Sequence, residues 1–495
     1  DMDDFVDKNS IRTLFAALAE RCLDSERGVM TTVLPTIALT ATSGQQERRI
    51  LSERFHIHTV LTGRWPREFT LSQNTEIDES IIVAVRGVGQ RQPIRFIQLD
   101  RLPYDEEEVA ELHQALMTCP AGQLEDSWGE VSHWPAQRIE AGDWTPAIWR
   151  SPELAEAAWT YKSAEGLIAL QQQGISPKKT GASIPAKALE QGASTTSKGA
   201  KIAVLASKGA EGQQTIEARP DRWWDTSKGG PKIHEENEGH LLLTFGQRSG
   251  TGRLNAVASD EKYIGVGWMP VPEVTVGESK AVSVFMNSTA GRIQLMANVG
   301  KMISFPIYNP SAYSDIKAPD IKDARVRQIL ADCWERTKDI EVPQFRDGEC
   351  EVRRLWDEAV AEAMGWDAAE LARLRHLLHQ EPHVRGLGYG QYADEVEVEL
   401  ADRERFRELA DRWQEETIFL SNSERKNGHP AHQEIISLGQ PVVPLILERM
   451  RSEGGHWFEA LQQITGADPV SPADYGNIAA MQNSWLQWGE DHGYA

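Results

Sequence analysis

The sequence predicts an α/β fold followed by an all-helical region, and three observations carry that prediction. β-branched runs alternate with helical stripes from residue 9 to residue 86. Between 239 and 270, strand-like runs are separated by Gly-rich turns, the pattern of a small antiparallel sheet. After about residue 322, apolar residues recur at a period of 3.6 almost to the end.

The elements follow in order. Over residues 9–25, Ile11, Leu14, Phe15, Leu18 and Cys22 share one helix stripe while Arg12, Glu20 and Arg21 fall on another, so an amphipathic helix is expected to face a sheet. VMTTVLP is a strand stopped by Pro35, and SGQQERRILSERF is a helix with Ser43 as its N-cap. HIHTVLTG and ESIIVAVR are two further strands. His56 and His58 alternate along the first of these, yet no third imidazole or carboxylate stands near in sequence, and a structural role is the expectation. YDEEEVAELHQALM is a charged helix leading to Trp128, Trp134, Trp144, Trp149 and Trp159, rings whose large area suits anchoring of loops and small cores better than a stacking platform. AVSVFMNSTAGRIQLMANVG is expected to be a strand or short helix feeding another helix. Four amphipathic helices lie between residues 324 and 416, and four short ones with Gly and Pro punctuation close the chain, similar to a HEAT-like module.

Composition bounds the function. The chain has 495 residues, 40% hydrophobic and 25% charged, enough for several cores. Its net charge of −22 opposes any protein that coats nucleic acid over its whole surface, so DNA must be met by a local basic patch. Residues 171–235 are the exception to the acidic balance, with ten Lys/Arg against six Asp/Glu. Cys22, Cys119, Cys333 and Cys350 lie far apart, which suggests neither a disulfide framework nor a thiolate metal site. No apolar run approaches the roughly 20 residues that a membrane span needs, and no signal peptide opens the chain, so a cytoplasmic protein without a membrane partner is expected. The first residue is Asp1, which is expected of a processed chain or a piece of a longer one.

The ordered run of helix, strand ending in Leu34-Pro35, TSGQQERRILSERFHIHTVL and NTEIDESIIVAVR resembles the segment of bacterial adenine-specific DNA methyltransferases that follows their Asn-Pro-Pro-aromatic motif. The likeness is looser through GRLNAVASDEKYIGVGWMPV, FMNSTAGRIQLMANVGKMISFPIYN and the helices up to about residue 415, which are similar to the C-terminal region of large fused enzymes of restriction-modification or phage-defence type. The resemblance implies a fold class of α/β plus α: residues 1–90 as the last strands and helices of a Rossmann-like methyltransferase sheet, 91–325 as a Trp-rich linker and mixed α/β target-recognition region, 326–415 as a helical region and 416–495 as the HEAT-like module. Residues 28–86 would be strands five to seven of seven, at the antiparallel end of the sheet.

Methyl transfer needs a Gly-rich turn for the cofactor and acceptors for a flipped adenine, and neither motif stands here in the family's order. Ser249-Gly250-Thr251-Gly252 follows a strand but precedes another strand-like run, and Asn309-Pro310-Ser311-Ala312-Tyr313 lacks the second proline. The resemblance therefore implies a fragment with no catalytic, cofactor-binding or metal-binding residue of its own. The upstream half of the same protein would hold S-adenosylmethionine. Double-stranded DNA would be bound by Lys178, Lys179, Lys198, Lys201, Lys208, Arg222, Lys228, Lys232, Arg248 and Arg253, with Trp223 and Trp224 stacking on a base or wedging a groove. The alternative expectation is a non-catalytic interaction scaffold, a degenerate methyltransferase end whose acidic helices after residue 390 dock a protein partner.

Overall fold

In a computed structural model, the described residues are 18–19, 21–24, 28–40, 44–63, 79–87, 92–100, 102–103, 105–124, 128–149, 151–178, 193–194, 201–205, 213–219, 222–225, 238–246, 252–265, 267–299, 308–381, 384, 405–414, 416–417, 426–472 and 474–492. The chain divides into two compact units, Asp1–Tyr389 and Gly390–Ala495.

The first sheet begins with β1 (Val29–Pro35), β2 (Phe55–Gly63) and β3 (Glu79–Arg86). Helix α1 (Gln45–Arg54) joins β1 to β2 and buries Ile50 and Leu51. The expected cap Ser43 lies outside the described residues; the residue before the helix, Gly44, offers no side-chain cap. β3 lies between β1 and β2 and is antiparallel to both, with Val33 opposite Ile81 and Val60 opposite Ile82. β1 and β2 therefore run parallel. A bulge between Ile57 and Thr59 leaves His58 out of register, so Ile57 and Val60 both reach the same core.

The sheet does not stop at residue 90. β4 (Ile94–Leu99) pairs parallel with β2, β6 (Gly129–Trp134) runs antiparallel to β4, and the short β5 (Gly122–Gln123) closes the order β1-β3-β2-β4-β6-β5. Along β4 the strand period splits the side chains: Ile94 and Phe96 enter the main core, while Ile97 and Leu99 meet Leu112 and Ala115 of α2 (Glu106–Thr118) on the other face. Asp105 caps α2 by accepting from the Glu108 amide at 2.9 Å. Close approach of β6 to β4 requires glycine at 129, where φ is 143° and a Cβ would lie 2.0 Å from the Gln98 carbonyl oxygen.

In the second sheet, β11 (Gly239–Thr244) lies between β12 (Ala256–Gly265) and β13 (Trp268–Val271), antiparallel to each. The expected small antiparallel sheet is present. β12 extends it by a parallel pairing of Ile264 with Val204 of β9 (Lys201–Leu205), followed by β10 (Arg222–Asp225) and β8 (Ala193–Ser194). Helix α3 (Pro152–Ser163) and a two-stranded ribbon of β7 (Leu167–Ala169) and β14 (Lys317–Pro319) share the same core.

The stretch expected to be a strand or short helix is a pair of helices, α4 (Val276–Asn287) and α5 (Thr289–Val299). A capping box of Thr275 and Glu278 starts α4, and every residue from Glu278 to Asn287 is buried. Asn287 then fixes its end to β12, its Oδ1 accepting from the Asn255 amide at 2.7 Å and its Nδ2 donating to the Ala256 carbonyl at 2.7 Å. Helices α6 (Ala324–Thr337), α7 (Glu351–Met364) and α8 (Ala368–Gln380) complete this unit, as their stripes predict. Asp357 of α7 receives the Thr289 amide and hydroxyl at 2.7 Å each and Arg375 Nη1 at 2.8 Å, so a buried carboxylate caps α5 from a neighbouring helix.

The unit Gly390–Ala495 is helical where described, with residues 405–414 followed by α9 (Pro430–Leu438), α10 (Val443–Glu453), α11 (Phe458–Thr465) and α12 (Ile478–Asp491). Its own core holds Trp413, Trp457 and Trp485, with the first two rings 4.5 Å apart. Gly439, Gly454 and Gly466 end three of these helices at positive φ, as the punctuation predicts. The compact boundary at residue 390 precedes the expected boundary at 416.

Candidate nucleic-acid interface

Of the residues expected to touch DNA, the described ones divide between three places. Lys201 opens β9 and pairs in register with Asp225 at the end of β10; Arg222, Trp223 and Trp224 pair with Val204, Ala203 and Ile202. These four positions share two adjacent strands, and Trp223 is half-buried. Lys178 is exposed, and its amide donates to the Pro270 carbonyl at 2.9 Å, placing it beside β13 at the opposite edge of the sheet. Arg253 lies before β12, partly buried, and gives its Nη1 to the Val342 carbonyl at 2.6 Å. Lys179, Lys198, Lys208, Lys228, Lys232 and Arg248 lie outside the described residues.

A cleft of mixed charge that the sequence did not suggest lies at α1. A cleft of about 770 Å³ opens between α1 and residues 139–144, lined by Gln45, Arg48, Arg49, Arg54, Glu140 and Trp144. Arg48 is turned in to donate to the Ala38 carbonyl at 2.9 Å, and burial holds its pKa below the usual guanidinium range against the pull of Glu47. Arg49 stays at the surface, 3.5 Å from Glu53 one turn on. Its signal in sequence was the pair ERR within a helix, which reads as an ordinary solvated face until the opposite wall is known.

That wall is set by Asp143, whose side chain is fully buried. Its carboxylate accepts from Trp134 Nε1 at 2.9 Å, Arg138 Nε at 2.9 Å, and the Thr145 amide and hydroxyl at 3.1 and 2.6 Å. Gln98 of β4 donates to the Pro146 carbonyl at 2.6 Å and to the Trp149 carbonyl, joining the same segment to the sheet. Trp134, Trp144 and Trp149 are buried in the main core and Trp128 in the smaller core on the other face of the sheet, so these rings serve as core anchors.

The methyltransferase lookalikes resolve structurally. The described end of the Gly-rich stretch, Gly252, leads into β12, so the stretch connects two antiparallel strands. Tyr313 of the Asn-Pro stretch is buried and donates its hydroxyl to the Thr244 carbonyl at 2.6 Å. Among the described residues there is no group of three or more side chains able to hold a metal ion, and no helix is long and apolar enough to cross a membrane. The four cysteines are free.

No family model matches the sequence, and no curated protein does. Among solved structures, the chain is similar to the type IIG restriction endonuclease BpuSI at 15% identity and a TM-score of 0.34, over 74% of this chain and 49% of that one. It is also similar to a chain of a type I restriction-modification system, at 15% identity and a TM-score of 0.22, over 28% of this chain and 31% of that one. The neighbours are thus restriction-modification proteins, this chain spans about half the length of BpuSI, and TM-scores at this level do not define a common fold.

Proposed function

We propose that this chain is the part of an S-adenosylmethionine-dependent adenine DNA methyltransferase that follows its catalytic motifs, closing the catalytic sheet with residues 28–86 and reading target DNA with residues 91–325. The observation that carries the reading is the position of β1 at the end of the strand order among the described residues. Among the described residues β1 pairs with β3 alone, yet Val29 and Val33 are 56% and 46% exposed and the strand bears no charged residue. Edge strands are normally blunted by charge, bulges or covering, whereas inner strands of parallel sheets carry apolar residues on both faces. β1 has the composition of an inner strand, and in the family it resembles, the strand on its other side comes from the upstream half. The antiparallel β3 set between β1 and β2 agrees with a reversed end to such a sheet.

Titrating duplex DNA against the full chain at increasing salt tests the reading. The log of the association constant is expected to fall linearly with log salt, by about 0.9 for each phosphate contacted. Absence of binding at about 50 mM salt, well within the range where phosphate contacts are strong, overturns it. For the catalytic half, Val33→Lys is expected to prevent a co-expressed upstream half from purifying with this chain while leaving its own helix content unchanged.

One observation favours the scaffold reading for the second unit. Residues 390–495 hold 19 Asp/Glu and 8 Lys/Arg, a balance that repels phosphate and suits a protein partner. Capture of partners that persists after nuclease treatment supports that role, and capture of DNA-dependent partners alone removes it.

A further inference from the structure

The first unit holds a cluster of cations of which Arg253 alone figures among the expected DNA contacts. Arg292 on α5 and Arg353 on α7 converge on Phe345, which lies in the short turn Phe345–Asp347, and Arg253, before β12, stands within electrostatic reach of Arg353. Arg292 and Arg353 are 7% and 3% exposed. Their guanidinium carbons stand 4.3 and 4.9 Å from the centroid of that one ring. His379 of α8 stacks on the same ring at 4.0 Å and 8°.

The donors are only partly used. Arg353 gives Nη1 to the Gly348 carbonyl at 3.0 Å and Nη2 to the Pro343 carbonyl at 2.7 Å. Arg253 gives Nη1 to Val342, but its Nε is enclosed without an acceptor. Among the described residues Arg292 makes one long bond, Nη2 to the Arg253 carbonyl at 3.3 Å. Among the described residues, no carboxylate forms an ion pair with any of the three. The acids near Arg353 are committed elsewhere: Asp347 accepts from the Gln344 amide at 3.0 Å, and Glu349 from Arg375 at 3.0 Å and His376 at 3.3 Å.

Buried guanidinium groups are ordinarily matched by carboxylates, because an unpaired charge out of water is costly. Neutralisation by proton loss is not available at neutral pH, since burial and the neighbouring Arg353 bring Arg292 down only to about 9. Carbonyl dipoles and one aromatic face are weak compensation for three full charges. Guanidinium forks arriving from three separate elements suit a tetrahedral phosphate group, whose oxygens point in several directions and which is anionic both as a diester and as a monoester.

We infer that Arg253, Arg292 and Arg353 form a binding site for a phosphate group. The site is independent of the methyltransferase reading. The phosphate is either a phosphodiester of a nucleic-acid strand or a monoester on a small molecule, and the test separates these sources.

The full chain is melted over a series of inorganic phosphate concentrations at constant ionic strength, with chloride making up the balance. The folding equilibrium is expected to shift about tenfold per decade of phosphate above its dissociation constant. Arg292→Met is expected to abolish the shift, while Arg407→Met, at an exposed position of the second unit, retains it. Should Arg292→Met fail to fold, Arg292→Lys takes its place, alongside broadening of the phosphate ³¹P resonance by the wild-type chain. Equal melting in phosphate and chloride overturns the inference, as does an undiminished shift in the Arg292 variant. Displacement of phosphate by oligothymidylate lacking a terminal phosphate identifies the phosphodiester; displacement by a nucleoside monophosphate alone identifies the monoester. Loss of this effect leaves the salt-dependent duplex binding of the whole chain untouched, so the two readings fail separately.

Discussion

At the scale of single residues, Asp143 and His379 show opposite ways of keeping an ionisable group inside. Asp143 is surrounded by four donors from Trp134, Arg138 and Thr145. Asp143→Ala removes one side of a buried network and is expected to cost about 3–5 kcal/mol, read from urea midpoints. His379 instead stays neutral, held down to about 3 by burial first and by the Arg353 guanidinium second. Because its folded pKa lies below the ordinary 6.5, the unfolded chain takes up the proton first. Stability is therefore expected to fall as pH drops from 6.5 towards 3, by up to tenfold in the folding equilibrium per unit, and to be indifferent to this residue above 6.5. His379→Gln should flatten that part of the profile relative to wild type. The surroundings of His379 were not legible in the sequence: residues 253, 292, 345–353 and 379 lie on separate segments and meet only through tertiary packing.

At the scale of elements, period and punctuation made most of the helices and strands readable. The α6, α7 and α8 stripes matched because each helix has a wet face. α4 was ambiguous for the converse reason: it is buried nearly all round, so no polar face marks its period. β4 and β6 were missed as members of the first sheet because pairing between them joins residues such as Phe96 and Ser132, and local pattern carries no register. Helix ends were clearer. Gly466 caps α11 at φ 71° with open space around an added Cβ, so Gly466→Ala should act through backbone strain alone. About 1 kcal/mol is expected to be lost from the second unit, measured as a lowered urea midpoint with unchanged slope.

At the scale of the whole molecule, each unit is acidic, but the second carries half of the net charge of −22 on a much shorter stretch of chain. The locally basic stretch 171–235 belongs to the first unit, while the second holds 19 acids against 8 bases. If the first unit meets DNA, Lys178→Ala is expected to reduce the salt slope by about 1 and weaken all duplexes alike, and deletion of residues 390–495 should strengthen binding at low salt. The candidate site itself was legible only in composition. Lys178 and the Lys201–Arg222 strands fall on opposite sides of one sheet, because the same lysine-rich stretch meets that sheet at both sides. Each unit also keeps its own enclosed indoles, Trp128, Trp144, Trp149, Trp268, Trp334 and Trp356 in the first and Trp457 and Trp485 in the second. Intrinsic fluorescence should therefore report both units, and units that unfold independently would give two successive red shifts of emission whose amplitudes identify which has opened.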